Sequence, residues 1–130
     1  FVVDVDIDEF GVFKYVLIEL SCICTKQTKF IVRGSSKYSY HADIVDEFQH
    51  EIQDEIREMG LSYLCVGGGW MDHDNEDGHI LVYGLSQAFG KADHKITADL
   101  LIKQYPDYDI RYADGKGNYF AAKTLPNSEE

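Results

Sequence analysis

Basic residues are scarce in this chain of 130 residues. Twelve Lys and Arg stand against 23 Asp and Glu, which gives a formal net charge of −11. Because the average surface then repels polyanions, the composition argues against partners such as nucleic acid or anionic membranes. No apolar run approaches the roughly 20 residues needed to cross a bilayer, so we expect a soluble protein. Any phosphate site would need its own local cations.

Cysteine is also scarce, with three residues in all. None forms the paired Cys-x-x-Cys units that are typical of structural zinc sites, and we expect a reducing, cytoplasmic location. Cys22 and Cys24 are two positions apart and share one face of a predicted strand. They could form a redox pair, but free Cys packs as a small hydrophobe, and filling of apolar positions is the favoured interpretation.

The length of the chain predicts one domain, which is long enough for a packed core and too short for two. Enrichment in Val, Ile, Tyr and Phe predicts strands at residues 11–24, 30–33, 61–66, 79–83 and 108–112, and apolar periodicity predicts helices at 43–59 and 96–103. Residues 3–8 are predicted to be an acidic lead-in and 114–130 a frayed tail. Clustered hairpins with only two helices favour an α+β fold with a mixed, mainly antiparallel sheet.

His41 stands where a predicted strand gives way, after a turn, to the start of a helix. The free N–H groups and the positive dipole end of a helix attract anions and oppose protonation of a nearby imidazole. A neutral His in such a place could act as a general base or as a nucleophile. Lys14 is a basic residue within an otherwise apolar strand, where a solvated charge is an equally good interpretation.

Three other motifs imitate functional sites. Residues 72–78 (DHDNEDG) resemble a calcium loop, but the Gly comes one position late and no Glu follows at the required spacing. His73 and His79 with the neighbouring carboxylates could hold a transition metal, but a polar hairpin loop explains them better, and we predict no metal. Residues 84–88 (GLSQA) imitate a nucleophile elbow, although that fold needs a far longer chain. A hydrogen-bonding loop is the favoured interpretation.

Several sequence blocks occur in a recognisable order and spacing. They are residues 5–8 (VDID), 11–18 (GVFKYVLI), 31–34 (IVRG), 40–44 (YHADI), 67–69 (GGG) with His73, 82–84 (VYG), 86–90 (SQAFG) and 105–108 (YPDY). Together they resemble the small phosphohistidine phosphatases, also called the janus family, over about residues 3–113. The resemblance implies a six-stranded sheet flanked by two helices, in a domain of residues 1–115 followed by a C-terminal tail of residues 116–130. It also implies a metal-independent hydrolase that needs no cofactor and cleaves the P–N bond of phosphohistidine in proteins or peptides.

The resemblance also assigns roles to residues. It implies that His41 is catalytic, that Lys14 binds the substrate and that Ser86, Gln87 and Ala88 form a phosphate-holding turn. We add the backbone amide of Ala42, next to His41, as a further substrate-binding group. Arg33 matches a family Arg for which phosphate contact and support of the local architecture both stay open. The sequence departs from the family at Trp70, where an Arg is expected after the glycine run. If that Arg contacts phosphate, one cation is missing here.

The resulting hypothesis is a monomeric phosphohistidine phosphatase that acts on phosphohistidine-containing proteins. His41 either activates water, which we favour, or accepts the phosphoryl group itself. The preferred ring isomer of phosphohistidine stays open. Two alternatives are a non-catalytic phosphoprotein-binding module, suggested by Trp70 in place of a cation, and a broader phosphoamidase that also acts on phospholysine and small phosphoramidates.

Overall fold

The computed structural model describes residues 2–123, which form seven strands and three helices. In chain order these are β1 (Val5–Ile7), β2 (Phe10–Cys22), β3 (Thr28–Gly34), α1 (His41–Glu51), α2 (Gln53–Met59), β4 (Leu61–Asp74), β5 (His79–Tyr83), α3 (His94–Gln104), β6 (Asp109–Ala113) and β7 (Tyr119–Ala121). The strands form one sheet in the order β1-β3-β2-β4-β5-β6-β7. β1 with β3 and β5 with β6 are parallel, and the other neighbours are antiparallel. The predicted α+β class is confirmed, whereas the predicted count of six strands and two helices is wrong.

The two unpredicted strands lie at the edges of the sheet. β1 falls in the predicted acidic lead-in, where Val5 and Ile7 alternate with acidic residues and Val5 enters the core. β7 falls in the predicted frayed tail and pairs with β6 after a turn in which Asp114 accepts backbone N–H groups of Lys116 and Asn118. Three-residue strands are too short for periodicity to reveal. The remainder of the predicted tail, residues 124–130, lies outside the described residues.

β4 continues through the glycine run instead of ending at Val66 as predicted. Its pairing with β2 shifts register between Leu17 and Ile18, which marks a β-bulge next to the glycines. A side chain at Gly69 would place its Cβ 2.5 Å from the Tyr83 carbonyl oxygen. Glycine is therefore needed here because neighbouring backbone approaches too closely for any side chain, and the run does not interrupt the strand.

The predicted helix 43–59 is two helices that meet at Ile52. Hydrogen bonds from Ile52 to Phe48 and from Ile56 to Ile52 continue across the junction, so the break is an irregular turn and not a gap. α1 begins at His41, two residues before the predicted start, and α2 ends at Gly60 with φ +67°, as the glycine predicted. No helix within residues 2–123 combines the length and hydropathy that a membrane span requires.

The helices cover the two faces of the sheet unequally. α3 packs on one face over a core that includes Phe13, Tyr15 and Met71. α1 and α2 pack on the other face, over β2, β3 and the first half of β4, and α1 contributes Ile44 and Phe48 to the core there. His41, the first residue of α1, lies against Gly68 of β4, which is the central strand of the sheet.

Candidate active site

His41 is the first residue of α1 and lies against the sheet, with 7% of its surface exposed. The preceding Tyr40 is extended and caps the helix without a side-chain hydrogen bond. The ring packs on Gly68 of β4, where an added Cβ would lie 2.9 Å from His41 Cδ2. The glycine run therefore does two things: it lets β4 pass close to its neighbours, and it makes room for the imidazole.

One hydrogen bond decides which nitrogen of His41 carries the proton. Nε2 lies 2.9 Å from the carbonyl oxygen of Gly69, and a carbonyl only accepts, so Nε2–H is the donor. The ring makes no other hydrogen bond within residues 2–123, and no buried side-chain nitrogen or oxygen there lacks a partner. Nδ1 is therefore solvent-accessible. In the neutral ring its lone pair is available to a substrate or a water molecule.

Burial lowers the pKa of His41 below its ordinary value, because the charged imidazolium loses solvation. The Gly69 carbonyl opposes this shift, whereas the positive charge of Lys14 adds to it. The ring is thus held in its neutral form at neutral pH. That is the protonation state a general base or a nitrogen nucleophile requires.

Lys14 supplies positive charge to the same pocket. It stands opposite Trp70 in the pairing of β2 with β4, and its Nζ lies 4.4 Å from the centroid of the indole ring. Its ammonium makes no hydrogen bond or ion pair with any group in the described part of the chain. Among residues 2–123 it is also the only Lys or Arg that lines the pocket. An ammonium whose sole close contact is an aromatic ring can accept an anionic partner.

The third wall comes from the turn after β5. Ser86 is buried, its backbone exchanges hydrogen bonds with Gly90, and its Oγ accepts from the N–H of Phe89. Gln87 and Ala88, at the tip of this turn, line the pocket. Their backbone N–H groups have no acceptor within residues 2–123. Ser86 therefore holds the turn in place, and the two amides that follow are left for a ligand.

These walls enclose a pocket of about 720 Å³ lined by Lys14, Ser39, Tyr40, His41, Ala42, Trp70, Leu85, Gln87 and Ala88. In the first turn of α1 the amide of Asp43 donates to the Tyr40 carbonyl, whereas the amide of Ala42 has no acceptor within residues 2–123. The pocket thus combines a neutral imidazole, an ammonium and several backbone donors. Such a set can bind a phosphoryl group and present a nitrogen base to it.

Arg33 is not part of this pocket. Its Nε and Nη2 donate to the two carboxylate oxygens of Glu51 at 3.1 and 2.8 Å, and its Nη1 donates to the Val32 carbonyl. The side chain is 6% exposed and lines a different cleft, between β3 and α1. Of the two roles left open for Arg33, this geometry favours support of the architecture, since it ties β3 to the C-terminal end of α1.

The other sequence candidates have ordinary surroundings. His73 is buried, with Nδ1 2.8 Å from the Asp8 carbonyl and Nε2 3.2 Å from the Tyr108 hydroxyl. Residues 2–123 contain no group of three or more side chains placed to hold a metal ion. The two cysteines predicted to share a strand do not: Cys22 ends β2, and Cys24 lies exposed in the following turn. Apolar filling therefore does not explain Cys24.

Sequence reasoning missed a buried network beneath the pocket. Nδ1 of His94 lies 2.5 Å from the Tyr15 hydroxyl, and its Nε2 donates to the Gly84 carbonyl at 2.8 Å. The Tyr15 hydroxyl also contacts Thr97 Oγ1. Because a Cβ on Gly69 would lie 2.7 Å from His94 Cε1, this network supports both the carbonyl that orients His41 and the start of the Ser86 turn. No local signal reveals a partnership between residues 79 positions apart.

Comparison with known proteins gives a consistent result. The sequence model of the Janus/Ocnus family (Ocnus) matches residues 1–109. The chain is 41% identical over 116 residues to the 14 kDa phosphohistidine phosphatase of Sus scrofa, an alignment that covers 85% of this chain and 89% of that protein. The protein of the same name from Homo sapiens is 40% identical over 116 residues, covering 85% and 90%. The sex-regulated protein janus-A of Drosophila pseudoobscura pseudoobscura is 39% identical over 114 residues, covering 85% and 74%.

Proposed function

The chain belongs to the Janus/Ocnus family, and from this premise we propose that it is a protein phosphohistidine phosphatase, which hydrolyses the P–N bond of phosphohistidine in proteins or peptides. Similarity to two proteins that carry the name 14 kDa phosphohistidine phosphatase supports this reaction. The single observation that carries the proposal is the placement of His41, whose Nε2 donates to the Gly69 carbonyl while Nδ1 has no partner within residues 2–123. Its Nδ1 is unprotonated and accessible, and His41 lines the same pocket as the unpaired ammonium of Lys14.

In this proposal the phosphoryl oxygens contact Lys14 and the free amides of Ala42, Gln87 and Ala88. Phosphoryl transfer passes through a loose transition state with charge on its equatorial oxygens, so catalysis depends on positioning and on placed positive charge. One ammonium and several amides supply that charge without a divalent ion. We therefore propose a metal-independent and cofactor-free reaction, in which the Ser86 turn is substrate-binding through its backbone.

His41 acts as the general base. Its Nδ1 takes a proton from water while the water oxygen bonds to phosphorus, and the P–N bond breaks with its electron pair left on the imidazole nitrogen of the substrate. That nitrogen then takes up one proton and His41 releases the proton it accepted from water, so the base returns to its neutral form. The Gly69 carbonyl keeps accepting the Nε2–H bond and stabilises the imidazolium that forms on His41. The competing route, attack by Nδ1 on phosphorus, uses the same geometry and passes through a phosphorylated His41.

Turnover of a phosphohistidine peptide separates this function from its alternatives. With enzyme far below substrate, we expect many equivalents of inorganic phosphate per protein molecule. Stoichiometric binding without phosphate release would instead indicate a phosphoprotein-binding module. Comparable rates on phospholysine would indicate a broader phosphoamidase. A monomeric state, a lack of nucleic acid or membrane partners and a cytoplasmic location remain predictions from the sequence.

A further inference from the structure

Trp70 is the single tryptophan of the chain and forms part of the pocket wall. It follows the glycine run in β4, directly opposite Lys14. Its ring is held from behind, because a Cβ at Gly84 would lie 2.9 Å from Trp70 Cδ1, and Gly84 has a φ of +74° that other residues rarely adopt. The indole is thus fixed by backbone on one side and contacts the Lys14 ammonium over its ring.

The pocket is larger and more apolar than a phosphoryl group requires. Its volume of about 720 Å³ lies within the range that accommodates drug-sized ligands. Beyond His41 and Lys14, its wall includes the exposed side chains of Tyr40 and Leu85 together with the half-buried Trp70. Phosphoryl oxygens gain nothing from such a surface, whereas a flat ring attached to the phosphorus would.

We propose that Trp70, with Tyr40 and Leu85, forms a subsite for the planar imidazole that leaves from phosphohistidine, and that this subsite makes the protein prefer phosphohistidine to ringless P–N substrates. The inference rests on the proposed function and specifies its substrate. A charge-assisted hydrogen bond to phosphate is stronger than a partly exposed cation–π contact, so the substrate draws the Lys14 ammonium towards the phosphoryl oxygens. The indole face is then available to the ring of the substrate.

The leaving group keeps the shape that this contact requires. When the P–N bond breaks, its electron pair stays on the ring nitrogen, and protonation of that nitrogen gives a neutral, planar imidazole. A flat ring packs on the indole face before and after the bond breaks. The subsite therefore contributes binding energy for the ring throughout the reaction, and this raises kcat/KM for a substrate that carries the ring.

The test compares two substrates that share the P–N bond and differ in the ring. The values of kcat/KM for a phosphohistidine peptide and for phosphoramidate are measured in wild type, Trp70→Ala, Trp70→Phe and Tyr119→Ala. Trp70→Ala should lower kcat/KM for the peptide about tenfold, which is the size expected of one aromatic contact. For phosphoramidate it should lower kcat/KM no more than about twofold. Trp70→Phe should recover most of the loss, because it restores a ring face. Tyr119→Ala removes an exposed aromatic of β7 outside the pocket and should leave both values unchanged.

Each result has a distinct meaning. If Trp70→Ala lowers kcat/KM equally for both substrates, the inference is overturned and Trp70 only supports Lys14. If Trp70→Ala lowers neither value, the inference is overturned as well. If phosphoramidate is turned over too slowly to measure, its inhibition constant against the peptide replaces kcat/KM in the same comparison. Wild-type protein that releases no phosphate from the peptide would instead defeat the proposed function. Circular dichroism of each variant confirms that it is folded.

Discussion

Arg33 and Lys14 lie on neighbouring strands of an acidic protein, and the sequence makes both of them candidates for phosphate binding. Their surroundings differ. Both carboxylate oxygens of Glu51 accept from the guanidinium of Arg33, so its charge is already compensated. The ammonium of Lys14 has only an aromatic partner within residues 2–123. A buried cation with a matched carboxylate stabilises architecture, whereas one without an ionic partner can attract a ligand.

The largest effect on activity is expected from His41→Ala, in the pocket that also contains Lys14. Loss of the Nδ1 base should reduce phosphohistidine phosphatase activity by about 100-fold or more. His50→Ala is the matched control, because His50 is exposed at the other end of α1 and should retain full activity. Steady-state phosphate release measures both variants. Near-normal turnover by a folded His41→Ala protein would remove His41 from the mechanism.

Substitution of Arg33 should instead change the stability of the protein and leave its activity unaffected. Arg33→Ala leaves Glu51 without its partner and should lower the free energy of unfolding by about 2 kcal/mol. We expect less than for a fully buried pair, because the Glu51 side chain is 38% exposed. Urea unfolding measures the loss, and activity per folded molecule should be unchanged. Wild-type stability combined with a raised KM would contradict the architectural role and place Arg33 at the phosphate.

Lys14→Ala should give the reverse pattern. We expect binding of the phosphoryl group to weaken by roughly 1 to 3 kcal/mol, since one charge-assisted contact is lost, with little change in the unfolding free energy. The KM of the peptide measures this effect, and Lys14→Arg should restore part of it. The fluorescence of Trp70, the single tryptophan, provides a second readout. Inorganic phosphate should change its emission in wild type and not in Lys14→Ala.

The pH dependence of activity should also distinguish Lys14 from Arg33. As a general base His41 must be neutral, and burial and the charge of Lys14 lower its pKa, so kcat/KM should rise with pH along an acid limb that lies at lower pH than an unperturbed imidazole would give. Removing the Lys14 charge raises the pKa of His41 and should move this acid limb to higher pH. Arg33→Ala should leave the limb in place. An acid limb that does not move in Lys14→Ala would show that the two groups do not interact.

The smallest effect is expected from chelation. If one ammonium and backbone amides stabilise the phosphoryl group, prolonged EDTA treatment should leave the rate of phosphate release unchanged within error. Loss of activity that a divalent ion restores would contradict the metal-independent mechanism.

Long elements with regular patterns were predictable, and features that depend on distant neighbours were not. The α+β class, the start of a helix near His41 and its end at Gly60 follow from periodicity and from glycine chemistry. The edge strands β1 and β7 were not predicted, because a strand of three residues is too short to show a periodic pattern. β4 was predicted to end at its glycines, since nothing local reveals that the Tyr83 backbone lies against Gly69. The break at Ile52 was not predicted, because no Pro or Gly lies at this point in the sequence.

By itself, the sequence determined the family, and the proposed reaction class follows from that resemblance, because several residue blocks in a fixed order identify the family. His41, Lys14 and the Ser86 turn were nominated without coordinates. Tertiary structure alone decided which nitrogen of His41 is free, which of two cations is already paired, and that Trp70 faces the pocket. These properties depend on groups far apart in the chain, such as the Gly69 carbonyl and the Glu51 carboxylate. Only folding brings such groups within a hydrogen bond of each other.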